Sequence, residues 1–298
     1  MEDRQPTVRG RELGDELRAA MKKADMGVRE LARRLDWSHP RVSHLLSGKR
    51  GGSELDVMSV LVACKVELEE RERLVKLCRE LGTQGWLQQY DSHLPEQVHT
   101  LVEHETKAVA TQDVQLVLIP GLLQTADYAR AIISRGVTTK NIEPRVQARL
   151  SRQEIFNKYP PPRMTFFINE SVLRLPVGCP VVMSEQLHHL LRMSVRPRLE
   201  LRIIPSELGA HAAMSGSFML MEFAAFSPVV YLESVASAVF LENSEQIASY
   251  QLILAALAET ALSHGESKEL IVALAAELYA HGEDQNDGEH LAKEQLQR

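Results

Sequence analysis

Apolar side chains recur every three or four residues through the first eighty positions, the spacing that gives a helix one buried face. Leu13, Leu17 and Met21 mark such a stripe over residues 11–24. In VRELARRLDWSHPRVSHLLS (28–47), Leu31, Leu35, Val42 and Leu45 stand four, seven and three apart, which predicts two short helices packed face to face. Ala32 is small enough to let them approach closely, and Trp37 caps the corner between them. Ser38 stands where the second helix needs an N-cap, with Pro40 in its first turn, where a missing N–H costs nothing. Glycine usually takes the turn position held here by Asp36, and Asp is among the few other residues that tolerate left-handed backbone. Ser53 caps a fourth helix with Leu55, Met58, Leu61 and Val62 inward, and a fifth, 69–81, stops at Gly82.

Beyond 82–85 the period changes. A helix over 95–110 is followed by short runs that read as strands: 114–119 (VQLVLI), 164–168 (MTFFI), 199–204 (LELRII), 217–223 (SFMLMEF) and 229–232 (VVYL). Helical patterns lie between them near 126–134, 145–156 and 185–193, and the last two strands should form a hairpin. Two long amphipathic helices, 244–263 and 267–280, close the pattern, and the tail GEDQNDGEHLAKEQLQR is charged and expected to fray. The expectation is an all-α five-helix domain at 10–83, an α+β domain at 84–281 with a sheet of about five short strands and two long C-terminal helices, and a charged tail at 282–298.

Composition changes this picture little, and charge changes it more. With 298 residues, 44% hydrophobic and 25% charged, the chain reads as an ordinary globular protein of two domains. It has no run of eighteen apolar residues and a polar N-terminus, so the expected location is cytoplasmic, without a membrane. Cys64, Cys78 and Cys179 are odd in number and far apart, which offers neither a disulfide framework nor a metal site. Up to Thr83 there are 17 basic and 15 acidic residues, net +2; the rest has 17 and 25, net −8. Within 27–50 six Lys or Arg meet two acids, a local net of +4. Nucleic acid should touch only this first part.

The exposed side of the second short helix, His39, Pro40, Arg41, Ser43, His44 and Ser47, is polar and basic, a surface suited to base edges. With Arg29, Ser38, Lys49 and Arg50 these residues form the candidate DNA-binding set; Arg41 is expected to read a guanine edge, and Lys49 and Arg50 to hold phosphate. The stretch, with ELGDELRAAMKKADMG before it and LLSGKRGG after it, resembles the Xre/Cro/λ-repressor type of helix-turn-helix. That resemblance implies a third helix in the major groove of double-stranded DNA.

Further on, IPGLLQTADYAR, RVQARLSRQEIF, INESVLRLPVG, VMSEQLHHLL and GAHAAMSGSFMLMEF follow in an order similar to that of the actinobacterial WhiJ-like regulators. This resemblance implies a transcriptional regulator of development or specialised metabolism, often encoded beside a small partner protein in an antitoxin-like arrangement. A homodimer is expected, because one reader of this size contacts few base pairs.

Enzyme motifs are not found: the sequence has no Gly-x-Ser-x-Gly elbow, no phosphate-binding Gly-x-x-x-x-Gly-Lys loop, no Gly-x-Gly-x-x-Gly and no His-Glu-x-x-His. No catalytic residue, cofactor or metal is therefore expected. Adjacent His188 and His189 diverge on a helix, and Glu103 and Glu105 read as a solvated face. Three features remain open. Arg145, Arg149 and Arg152 share a helical side and could hold an anion or an acidic partner, or pair internally. The turn PGLLQT (120–125), with Gln124 and a Thr125 N-cap, could cradle a ligand or be only a tight turn. The loop 209–217, with His211, could be a pocket lip or ordinary loop. Gln124, Arg149, Arg152 and His211 are the candidate ligand or partner contacts, the partner being a small protein or, alternatively, a small-molecule effector.

Overall fold

The computed structural model describes residues 6–48, 52–79, 81, 86–89, 94–136, 141–234 and 237–279, without the side chains of 86–89, 94–99 and 279. The expected boundary at 82–85, Lys49, Arg50 and the tail 282–298 lie outside the described residues. The chain forms two compact units: one takes Met1–Gln89, Ala225–Val230 and Ser234–Ile247, the other Tyr90–Ala224, Tyr231–Glu233 and Ala248–Arg298.

The first unit begins with helices α1 (Val8–Lys23), α2 (Val28–Leu35), α3 (His39–Leu46), α4 (Glu54–Ala63) and α5 (Leu68–Arg79). Local chemistry sets their ends. Thr7 caps α1 by accepting from the Gly10 N–H, Ser38 caps α3, and Ser53 with Asp56 forms a reciprocal capping box on α4. Leu13, Leu17, Leu31, Val42, Leu45, Val57, Val60, Leu61 and Leu74 make the core. The inward face of α4 differs from expectation: Leu55 is 77% and Val62 50% exposed, whereas Val57 and Val60 are buried. The helix is apolar on two sides, and the capping box fixes the start from which Val57, Val60 and Leu61 point inward. Gly14 brings α1 against the end of α3, where an added Cβ would meet the Leu46 carbonyl oxygen at 2.2 Å.

Two further strands and a clasp complete this unit. Strand β1 (Trp86–Gln89) pairs antiparallel with β7 (Ser237–Leu241), two strands absent from the sequence expectation. The carboxylate of Glu242 accepts from the Val8 N–H at 2.6 Å and lies 3.8 Å from Arg11 Nη2. Arg11, only 5% exposed, donates to the Pro6 carbonyl and rests over the Phe226 ring at 4.8 Å. Burial pushes the Glu242 carboxyl up and the Arg11 guanidinium down from their ordinary ranges.

In the second unit, α6 (Leu94–Lys107) leads to β2 (Ala110–Gln115), and a 3-10 turn (Gly121–Leu123) leads to α7 (Ala126–Ile133) and α8 (Ile142–Ser151). A 3-10 stretch (Arg152–Asn157) precedes β3 (Arg163–Asn169), α9 (Glu170–Arg174), α10 (Pro180–Ser194), β4 (Leu199–Ile204) and β5 (Phe218–Glu222). Strand β6 (Val229–Glu233) lies beside β5, and the order runs β6-β5-β2-β3-β4. β2, β3 and β4 are parallel and β5 is antiparallel to β2, so the sheet is mixed. The parallel pairs need helical crossovers, which α7 with α8 and α9 with α10 supply. α11 (Ser244–Thr260) and α12 (His264–Tyr279) are the two long C-terminal helices, and α12 packs on α10 and β4. Phe166, Ile168, Leu201, Ile203, Leu187, Leu190, Ile271 and Leu274 form the core there. The strand expected at 114–119 starts earlier, because Thr111 and Asp113 are buried polar residues that break the apolar pattern of β2.

Candidate nucleic-acid interface

Helices α2 and α3 form a tight corner. Asp36 adopts left-handed backbone (φ 53°, ψ 44°), and the Trp37 N–H returns to the Ala32 carbonyl at 2.8 Å. Ser38 accepts from the Arg41 N–H at 3.4 Å, with Pro40 in the first turn. Burying Val42, Leu45 and Leu46 leaves His39, Pro40, Arg41, Ser43 and His44 on the exposed side of α3. Ser47, half-buried, donates to the His44 carbonyl and caps the C-terminus, and Arg29 is exposed on α2.

Arg41 is not a loose side chain. Its guanidinium lies over the Trp37 ring at 4.2 Å, and Nη2 donates to Asp56 Oδ1 at 2.7 Å. Burial pushes the Asp56 carboxyl up, but hydrogen bonds from Arg41 and Ser53 outweigh it and hold the group below the usual carboxylate range. Sequence reasoning missed this contact; the signal present was Ser53-x-x-Asp56, which fixes one carboxylate at the start of α4.

Three of the four candidate ligand contacts meet around residues 119–125. The Gln124 amide donates to the Ile119 carbonyl at 2.7 Å and accepts from Arg149 Nη1 at 2.9 Å, while its backbone carbonyl accepts from Gln153. Gln186 donates to the Leu123 carbonyl and accepts from the Thr125 N–H; the Tyr128 hydroxyl accepts from the Ile119 N–H. Thr125 caps α7 by accepting from the Tyr128 N–H. Side chains thus serve the turn's own backbone. Arg152 makes a bidentate pair with Glu105 at 2.6 and 3.0 Å, and Glu105 is only 2% exposed, not the solvated group its polarity suggested. Burial pushes Asp113 up to about 7, with the Gln115 hydrogen bond at 2.8 Å and the Arg152 charge opposing it. His211 stands apart, its ring nitrogens near Asn169 and the Ala213 N–H.

Residues 98–272, more than half of the chain, match the family described as a domain of unknown function (DUF5753). The chain belongs to this family. Residues 12–74 match a helix-turn-helix domain, which covers most of α1, all of α2 to α4 and just over half of α5 and is consistent with a DNA-binding regulator. Neither a curated protein nor a solved structure matches the chain. The polar hub at Gln124, Glu105, Asp113 and Arg152 lies wholly inside the DUF5753 match, as do Phe226 and Glu242, which belong to the reader's compact unit. Among the described residues no helix is long and apolar enough to cross a membrane.

Proposed function

We propose that this DUF5753 protein is a sequence-specific transcriptional regulator that sets α3 into the major groove as a homodimer, and whose family domain regulates by holding a small partner protein rather than by catalysing a reaction. The reading of DNA rests on one observation: α3 buries Val42, Leu45 and Leu46 and presents His39, Arg41, Ser43 and His44 outward beside Pro40. The motifs shared with WhiJ-like regulators support a role in development or specialised metabolism. The non-catalytic reading is supported by the hub, where Arg152 is paired with Glu105, Arg149 is bonded to the Gln124 amide and Asp113 to the Gln115 amide. The alternative, a small-molecule effector on the family domain, draws no support from the groove of about 550 Å³ lined by Glu16, Lys23, Arg34, Cys64, Lys65 and Glu70, which belongs to the reader's helices.

Selection of randomised duplexes by the full chain tests the reading. A defined sequence should be enriched, and Arg41→Ala should cost about 1–3 kcal/mol and relax preference at one base pair. Enrichment of no sequence, or an Arg41→Ala protein with unchanged preference, would remove α3 from the groove.

A further inference from the structure

We infer that Asp56 and Trp37 form a fixed seat for the Arg41 guanidinium, so that Asp56, a residue of the next helix, determines how strictly the reader selects its base. The inference rests on the placement of α3 in the groove and adds a positioning residue outside it.

The geometry of the seat is specific. Arginine is long and flexible, and a guanidinium that must find a guanine edge from many rotamers reads it loosely. Here the flat group is supported on one face by Trp37 at 4.2 Å and held at one end by Asp56 at 2.7 Å, yet the side chain is 53% exposed. Its remaining N–H groups have no partner among the described residues and are available to the paired O6 and N7 acceptors of guanine.

Asp56 in turn is not free to wander. Its second oxygen accepts from the Ser53 N–H at 3.0 Å, and its own N–H donates to Ser53 Oγ at 3.2 Å. Gly52 lets this corner close on α3, since a Cβ there would meet Leu45 Cδ1 at 2.4 Å and Asp56 Cβ at 3.1 Å. With both oxygens occupied, Asp56 orients Arg41 and does not itself read a base. A carboxylate that merely drew Arg41 away from DNA would act in the opposite direction, and the two are separable.

The test uses the full chain with Asp56→Asn, which keeps an acceptor for the Ser53 N–H and removes the charge that holds Arg41. Duplexes selected by the unmodified chain are the probe, with affinity measured across a salt series. The expected result is a fall of about tenfold in preference for guanine over the other bases at one position, with the salt slope unchanged. In an Arg41→Ala background, Asp56→Asn should add no further loss of preference. Tighter binding to every duplex with a steeper salt slope, or an unchanged preference, overturns the seat. An Arg41→Ala protein that keeps its preference overturns the placement of α3 as well, whereas failure of Asp56→Asn alone leaves that placement standing. Should Asp56→Asn not fold, rotation of the Arg41 guanidinium about its Nε–Cζ bond in the unmodified chain decides: separate Nη1 and Nη2 signals in the free chain support the seat that holds Nη2, and freely averaged signals there overturn it.

Discussion

Asp113 sits in the middle of β2 with 2% of its surface exposed, a carboxyl in a strand where the pleat offers it no water. Its proton is retained to about pH 7 in the folded chain, against an ordinary value of 3.8. A raised acid favours the native state while protonated, so its stabilising contribution is complete below about pH 4 and is lost as pH climbs through 7. Asp113→Asn keeps a polar group beside Gln115 without the charge. It should therefore gain on the unmodified protein between pH 5 and pH 8, by about 3 kcal/mol across that range, as read from chemical denaturation at each pH. A stability difference that stays flat across that range would show that Asp113 is ionised throughout. Glu105 explains why such residues escape a reading of the sequence. Its partner Arg152 lies 47 positions away, and neither periodicity nor local charge pattern connects them.

At the scale of elements, what is legible is what is local. Asp36 in left-handed backbone, Ser38 and Thr125 as caps and the exposed side of α3 all depend on neighbours within a few positions, and each stands where the spacing put it. The inward face of α4 was not legible, because its sequence is apolar on two sides and only packing chooses between them. Strand β2 was displaced by its buried polar residues, and β1, the edge strand, has as its partner β7, about 150 residues away in the chain. The candidate site divides the same way: the surface of α3 could be read, but its Arg41 seat needs a carboxylate from another helix. Helix contacts also hang on single atoms. Gly14→Ala would force α1 away from the Leu46 carbonyl, an overpacking that should cost about 1–3 kcal/mol. A thermal melt of the full chain should show it, with DNA affinity lowered in parallel; an unchanged melting temperature would mean that α1 and α3 are not in backbone contact.

For the whole molecule, the DUF5753 match and the compact units do not share boundaries, since Ala225–Val230 and Ser234–Ile247 group with the reader's helices. A ligand on the family domain can change DNA affinity only through a difference in its own affinity for the two states, and these segments give that difference a covalent route into the reader. DNA binding by the full chain should respond to native cell extract and not to its small-molecule filtrate, with light scattering showing two chains per duplex. A response that survives in the filtrate would favour the small-molecule effector, and indifference to both would remove the regulatory role. The same arrangement bears on how such proteins can be recombined. Because Glu242 and Phe226 grip the first turns of α1 at Val8 and Arg11, the amino-terminal helices are not an exchangeable cassette. A graft that carries them into another member of the family brings a new address to DNA but leaves behind the carboxylate and the ring shaped to hold it.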